Sequence, residues 1–190
     1  MRCATEGIMY PYNALKELKD SLLFGNDSVS GHGSKAPYVE IPHAAWSVCR
    51  DELDCAFASV RGLEPSIVFV LGPLHKGPIS ADDGFTVYAP EDGVLKGSDW
   101  EIALEVPSDL RNLVVQNDDI CSEECSLEIA APYLALLFPK ARVCHLLAPG
   151  RNEKLRTIVE IARRDFPGAL FFISNNRESG CADMWKEVFQ

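Results

Sequence analysis

Short apolar runs, each too brief for a buried helix, recur along this chain with helical patterns between them. Ser66-Ile67-Val68-Phe69-Val70-Leu71 is continuous and β-branched, as a strand buried on both faces requires. Arg142 to Leu147 and Ala169 to Ile173 have the same character, and Tyr38-Val39-Glu40-Ile41 is a shorter strand stopped by Pro42. Between the first two, Trp46, Cys49, Leu53, Ala56 and Val60 recur at three- and four-residue steps, the signature of an amphipathic helix that Gly62 ends. Strands alternating with helices predict an α/β fold: a mostly parallel central sheet covered by helices on both faces.

The remaining elements follow from local signals. A short helix is expected from about Ala14 to Leu23, then a linker-like stretch, Gly25 to Ser34, without apolar periodicity. Gly84 to Tyr88 reads as a third strand, and Ser108 as the N-cap of a helix through Val115. Ser126 to Phe138 reads as a helix despite Pro132. Helices are also expected over Glu153 to Phe166 and Ala182 to Phe189. No repeat divides the chain, and 190 residues suit a single domain spanning 1–190 with a core of its own.

Charge narrows the partners. With 28 acidic against 18 basic residues the formal net charge is -10, which repels phosphate backbones and anionic lipid. Nucleic acid and membrane are therefore not expected, which leaves a small molecule or a protein. Seven cysteines form an odd set without framework spacing, so free thiols are expected. The residues after Met1 show no apolar signal region, and a cytoplasmic location is the expectation.

The chemistry rests on four histidines, of which two share a context. His43 follows the first strand in Ile41-Pro42-His43-Ala44, and His75 follows the next in Leu71-Gly72-Pro73-Leu74-His75. Both lie just past the carboxyl end of a strand, where open α/β sheets place their ligands. Two imidazoles with a carboxylate or thiolate are a common first-row metal set. The bland alternative is a pair of surface or backbone-bonded loop histidines. His145, within Val143-Cys144-His145-Leu146, reads as a hydrogen-bonded strand histidine, and His32 as solvated. Glu123-Glu124-Cys125-Ser126 opens a helical run, where acidic groups and a capping serine suffice structurally; Glu124 and Cys125 could also face the crevice. No phosphate loop and no nucleophile elbow occurs, so no catalytic residue is assigned.

Five segments, in order, resemble the Memo-like family, called AmmeMemoRadiSam system protein B in bacteria. Gly7-Ile8-Met9-Tyr10-Pro11 resembles its Gly-x-Phe-Tyr-Pro opening, and Pro42-His43-Ala44-Ala45-Trp46 its Pro-His-Ala-Gly-Tyr. Leu71-Gly72-Pro73-Leu74-His75-Lys76 resembles Leu-Gly-Pro-Ser-His-His. Glu124-Cys125-Ser126-Leu127-Glu128, with Pro132-Tyr133-Leu134 after it, resembles Glu-His-Ser-Leu-Glu and Pro-Phe-Leu. Leu170 to Asn176 resembles the family's strand ending in Ser-Ser-Asp. The resemblance implies a fold similar to that of the class III extradiol dioxygenases. It also implies that His43 and His75 are metal ligands and that Glu124, Cys125 and Asn176 line the cleft.

The departures matter as much. Cys125 stands where the family has histidine, Asn176 where it has aspartate, and Lys76 where it has a second histidine. The family's third ligand comes from a C-terminal region without counterpart in these residues, for which Cys181 and Asp183 are conceivable substitutes. Two functions follow from the resemblance. One is a metal site for non-haem iron or copper redox chemistry. The other is a catalytically inactive binding or interaction protein that keeps the fold and cleft and needs no metal.

Overall fold

The apolar runs form the middle of one sheet. The computed structural model describes residues 5–24, 37–75, 86–151, 153–175 and 181–190. The helices are α1 (Ala14–Phe24), α2 (Trp46–Ala58), α3 (Asp118–Cys121), α4 (Ser126–Leu137), α5 (Glu153–Asp165) and α6 (Cys181–Glu187). The strands are β1 (Val39–Pro42), β2 (Ile67–Pro73), β3 (Val87–Ala89), β4 (Gly93–Lys96), β5 (Glu101–Leu104), β6 (Val114–Gln116), β7 (Arg142–Ala148) and β8 (Leu170–Asn175).

Among these residues the sheet runs β1-β8-β2-β7-β3-β6, and β5 adds beside β7 with β4 hairpinned onto it. The pairs β1–β8, β8–β2 and β2–β7 are all parallel; β3–β7 and β4–β5 are the antiparallel departures. Every residue of β2 is buried, as the continuous run requires. Its side chains alternate between two cores. Val68 and Val70 face a cluster with Leu53, Phe57, Leu127, Tyr133 and Phe172. Ile67, Phe69 and Leu71 face one with Ile158, Ala162, Phe171, Ile173 and Trp185. Helices α1, α2 and α4 supply the first face, α5 and α6 the second. The expected α/β sandwich is the fold observed.

Helix α4 is buried at every position from Ser126 to Leu134, so it is a central helix rather than an amphipathic one. Pro132 sits inside it, and the Trp46 indole donates to the Ile129 carbonyl one turn earlier, at 3.0 Å. Helix α1 packs on the same side through Ala14 and Leu18, and the Asp99 carboxylate accepts the backbone N–H groups of Leu15 and Lys16 at 3.2 and 3.0 Å. Those amides have no partner within the first turn, so Asp99 caps the helix from a distant loop.

Two expectations need correction. Residues 108–115 do not form a helix: only Ser108–Leu110 makes a 3-10 turn, and Val114–Gln116 is strand β6. The β-branched pair Val114-Val115 finds a strand partner in β3, with Val87 opposite Val114, and this outweighs the capping signal of Ser108. Strand β3, Val87–Ala89, runs one residue past the expected end at Tyr88; residues 84 and 85 lie outside the described residues, as do the linker at 25–34 and His32. The turn-rich sequence after β3 also hides the β4–β5 hairpin.

Cys49, Cys55, Cys121, Cys125 and Cys144 are free thiols, as expected; Cys3 and the Cys181 side chain lie outside the description. Burial pushes the Cys121 thiol up to about 12 and Cys144 higher still, so both are inert packing groups. Among the described residues no helix is long and apolar enough to cross a membrane.

Candidate metal centre

Three neighbouring parallel strands, β1, β8 and β2, end at the same edge of the sheet. Each delivers one polar side chain there. The ladder between β1 and β8 continues one residue further, since His43 N–H donates to the Asn175 carbonyl at 3.0 Å. Likewise Leu74 N–H donates to Ala148 at 2.9 Å, which carries β2 up to the residue before His75. The two loop histidines thus start from fixed backbone. Their ring centroids lie 5.0 Å apart, with the planes inclined at 61°.

Each ring is also held by an oxygen. His43 Nδ1 lies 2.8 Å from the hydroxyl of Ser174, a wholly buried residue of β8. His75 Nδ1 lies 3.0 Å from Glu124 Oε2, and the His75 backbone N–H donates to Glu124 Oε1. Glu124 is only 4% exposed, which makes it a buried carboxylate aimed at one imidazole. One donor atom each from His43, His75 and Glu124 all fall within 4.8 Å of one another. Cys125, half-buried at the start of α4, places Sγ 3.3 Å from His43 Nε2.

Burial holds the His43 imidazole down to about 4; the neighbouring His75 pushes the same way and Glu124 opposes. His43 is therefore neutral at ordinary pH, the form that ligates metals. Behind it, His145 on β7 is 2% exposed and held down to about 3, chiefly by burial and then by His43. Its Nε2 lies 2.8 Å from Ser126 Oγ, as a hydrogen-bonded strand histidine should.

The N-terminus of α4 is clamped at this point. A Cβ on Gly72 would come within 2.6 Å of Ser126 Oγ and 3.0 Å of Leu147. On its other side the Gly72 carbonyl accepts the Trp185 indole N–H at 3.0 Å. Gly72→Ala should therefore displace Ser126 and cost about 1–3 kcal/mol through overpacking. Chemical denaturation measures this, and an unchanged midpoint would mean that α4 can retreat freely.

The donor set of two imidazoles and a carboxylate, with the Cys125 thiol beside His43, suits a first-row transition ion and not calcium or magnesium, which demand oxygen shells. Of the other residues named from sequence, Asn176 and Lys76 lie outside the described residues, and so does the Cys181 side chain. Asp183 is exposed on α6 and lies 3.8 Å from Lys186. The sequence assigns Ser174 no role, although it is the penultimate residue of β8, beside the point where His43 follows β1; that position near a shared strand edge is the signal that could have found it.

No family model matches the chain. The chain is similar to a MEMO1 family protein. That relative, TTHA0924 of Thermus thermophilus, is 28% identical over 173 residues, covering 86% of this chain. The same stretch is 50% of the relative, so the chain spans about half of its length. The likeness supports a Memo-like family, in agreement with the five motif segments.

Proposed function

We propose that this is a Memo-like protein that holds a first-row transition metal between His43 and His75, for redox chemistry with iron or copper on a small molecule or protein. The observation that carries this reading is the convergence of both imidazoles and the buried Glu124 carboxylate at one strand edge. Iron or copper there would supply one-electron chemistry. The chain's own residues hold and orient: Ser174 and Glu124 fix the two rings, and burial keeps His43 neutral. The hollow lies beyond the carboxyl ends of parallel strands, the usual ligand position in such sheets.

The family's motif has histidine where Cys125 stands, and the loss of that acid/base imidazole favours the second reading, a binding or interaction protein that keeps the cleft without catalysis. Metal content decides between them. Protein prepared without a histidine tag should bind iron(II) or copper(I) near one equivalent in anaerobic titration and release it to a chelator. Failure to bind iron, copper and zinc alike would leave the binding-protein reading.

A further inference from the structure

We propose that Cys125 is a ligand of the metal at this site, and that Glu124 serves from outside the coordination shell as the carboxylate that orients His75. The inference rests on the metal-site reading above and specifies its donors.

It starts from the ring nitrogens. Both imidazoles have Nδ1 against a protein oxygen, Ser174 Oγ for His43 and Glu124 Oε2 for His75. In the tautomer that donates through Nδ1 to these oxygens, each ring carries its lone pair on Nε2, the nitrogen it would turn to an ion. Glu124 meets His75 twice, through the ring and through the backbone N–H, with one oxygen for each. That is how a carboxylate fixes a ligating histidine, and it turns both oxygens towards His75.

The sulfur fills the place so left. Cys125 Sγ lies 3.3 Å from His43 Nε2. In a tetrahedral shell with bonds of about 2.0 Å to nitrogen and about 2.3 Å to sulfur, the two donors stand about 3.5 Å apart. An ion on Nε2 therefore meets Sγ with little movement of either side chain. Binding breaks the S–H bond, forms metal–sulfur and metal–nitrogen bonds, and releases one proton to solvent. One thiolate and the Glu124 carboxylate then balance a divalent ion in a half-buried site. Cys125 is also preset: its neighbour Ser126 is pinned between Gly72 and His145. Two nitrogens and a sulfur favour zinc, cobalt and copper(I) over magnesium, calcium and manganese.

Cobalt(II) is the probe. Under reducing, anaerobic conditions the wild-type chain should develop the near-ultraviolet thiolate-to-cobalt band with intense visible bands of a four-coordinate ion. Cys125→Ser should remove the near-ultraviolet band, whereas Cys121→Ser, four residues away and buried, should keep it. Glu124→Gln should weaken binding roughly 10- to 100-fold, as loss of an orienting partner does, yet leave the shape of the spectrum unchanged. Zinc should also shield Cys125 of the unaltered chain from alkylation in peptide mapping, which decides the matter even if a variant fails to fold. Cobalt binding without the sulfur band, or a band that survives Cys125→Ser, overturns the inference and leaves the histidine site standing. No cobalt or zinc binding at all overturns both.

Discussion

Taking the metal-free protein from pH 7 to pH 5 should cost about 4 kcal/mol of folding stability, about 2 kcal/mol from each of two histidines, His43 and His145. Both are held below the ordinary value of 6.5, His43 at about 4 and His145 at about 3, with burial the first cause in each. The unfolded chain binds a proton on each near pH 6.5, while the folded chain does so only near their lowered values. Between those limits the unfolded state holds more protons, so stability is greatest above 6.5 and falls with decreasing pH. The loss levels off near pH 4 for His43 and near pH 3 for His145. Carboxylates in the unfolded chain titrate mainly below pH 5, so the range from 7 to 5 isolates the histidines. For a chain of this size the drop corresponds to a melting temperature lower by roughly 10 °C. His145→Gln should halve the slope. Melting curves that coincide at pH 7 and pH 5 would show that neither imidazole is buried in its neutral form.

The strands that were legible in the sequence are those whose environment is uniform. β2, β7 and β8 are buried on both faces, and such strands must read as unbroken apolar runs. The β4–β5 hairpin was not legible because most of its residues face solvent: in β4 only Leu95 is buried, and in β5 the exposed Glu101 and Ala103 alternate with Ile102 and Leu104. Four residues of that pattern inside a sequence rich in glycine, serine and proline carry little signal. Strand β6 was misread because its identity comes from pairing with β3, a contact that no local window contains.

The site shows the same division. His43 and His75 could be named because each directly follows a readable strand, and strand ends converge in a parallel sheet. The hydrogen bonds that hold them could not, even where the partner, as with Glu124, could be placed at the cleft. Glu124 reads locally as an acidic residue ahead of a helix, yet it turns to His75, 49 positions earlier. Ser174 meets His43 across 131 positions, and Ser126 meets His145 only because Gly72 lets α4 approach the sheet. Hydrogen-bond partners set by tertiary packing leave no periodic trace.

Metal should stabilise this fold, and the two cleft histidines should carry that effect. At a free concentration 100 times the dissociation constant, an ion bound only by the folded chain adds about 2.7 kcal/mol. That raises the melting temperature by roughly 5–10 °C. His43→Gln and His75→Gln should each abolish most of the rise, because an amide is a poor ligand for transition ions. Glutamine is the better choice than alanine, since it keeps a polar group near the wholly buried Ser174 hydroxyl and the Glu124 carboxylate. Leaving such a group unpaired costs about 1–3 kcal/mol and would confuse loss of metal with loss of fold. The metal-free variants should accordingly melt close to wild type at pH 7. Burial already keeps His43 neutral, so above about pH 4 no proton has to leave that ring when the ion binds. An equal metal-induced rise in wild type and both variants would place the ion elsewhere on the protein and remove the case for this edge of the sheet.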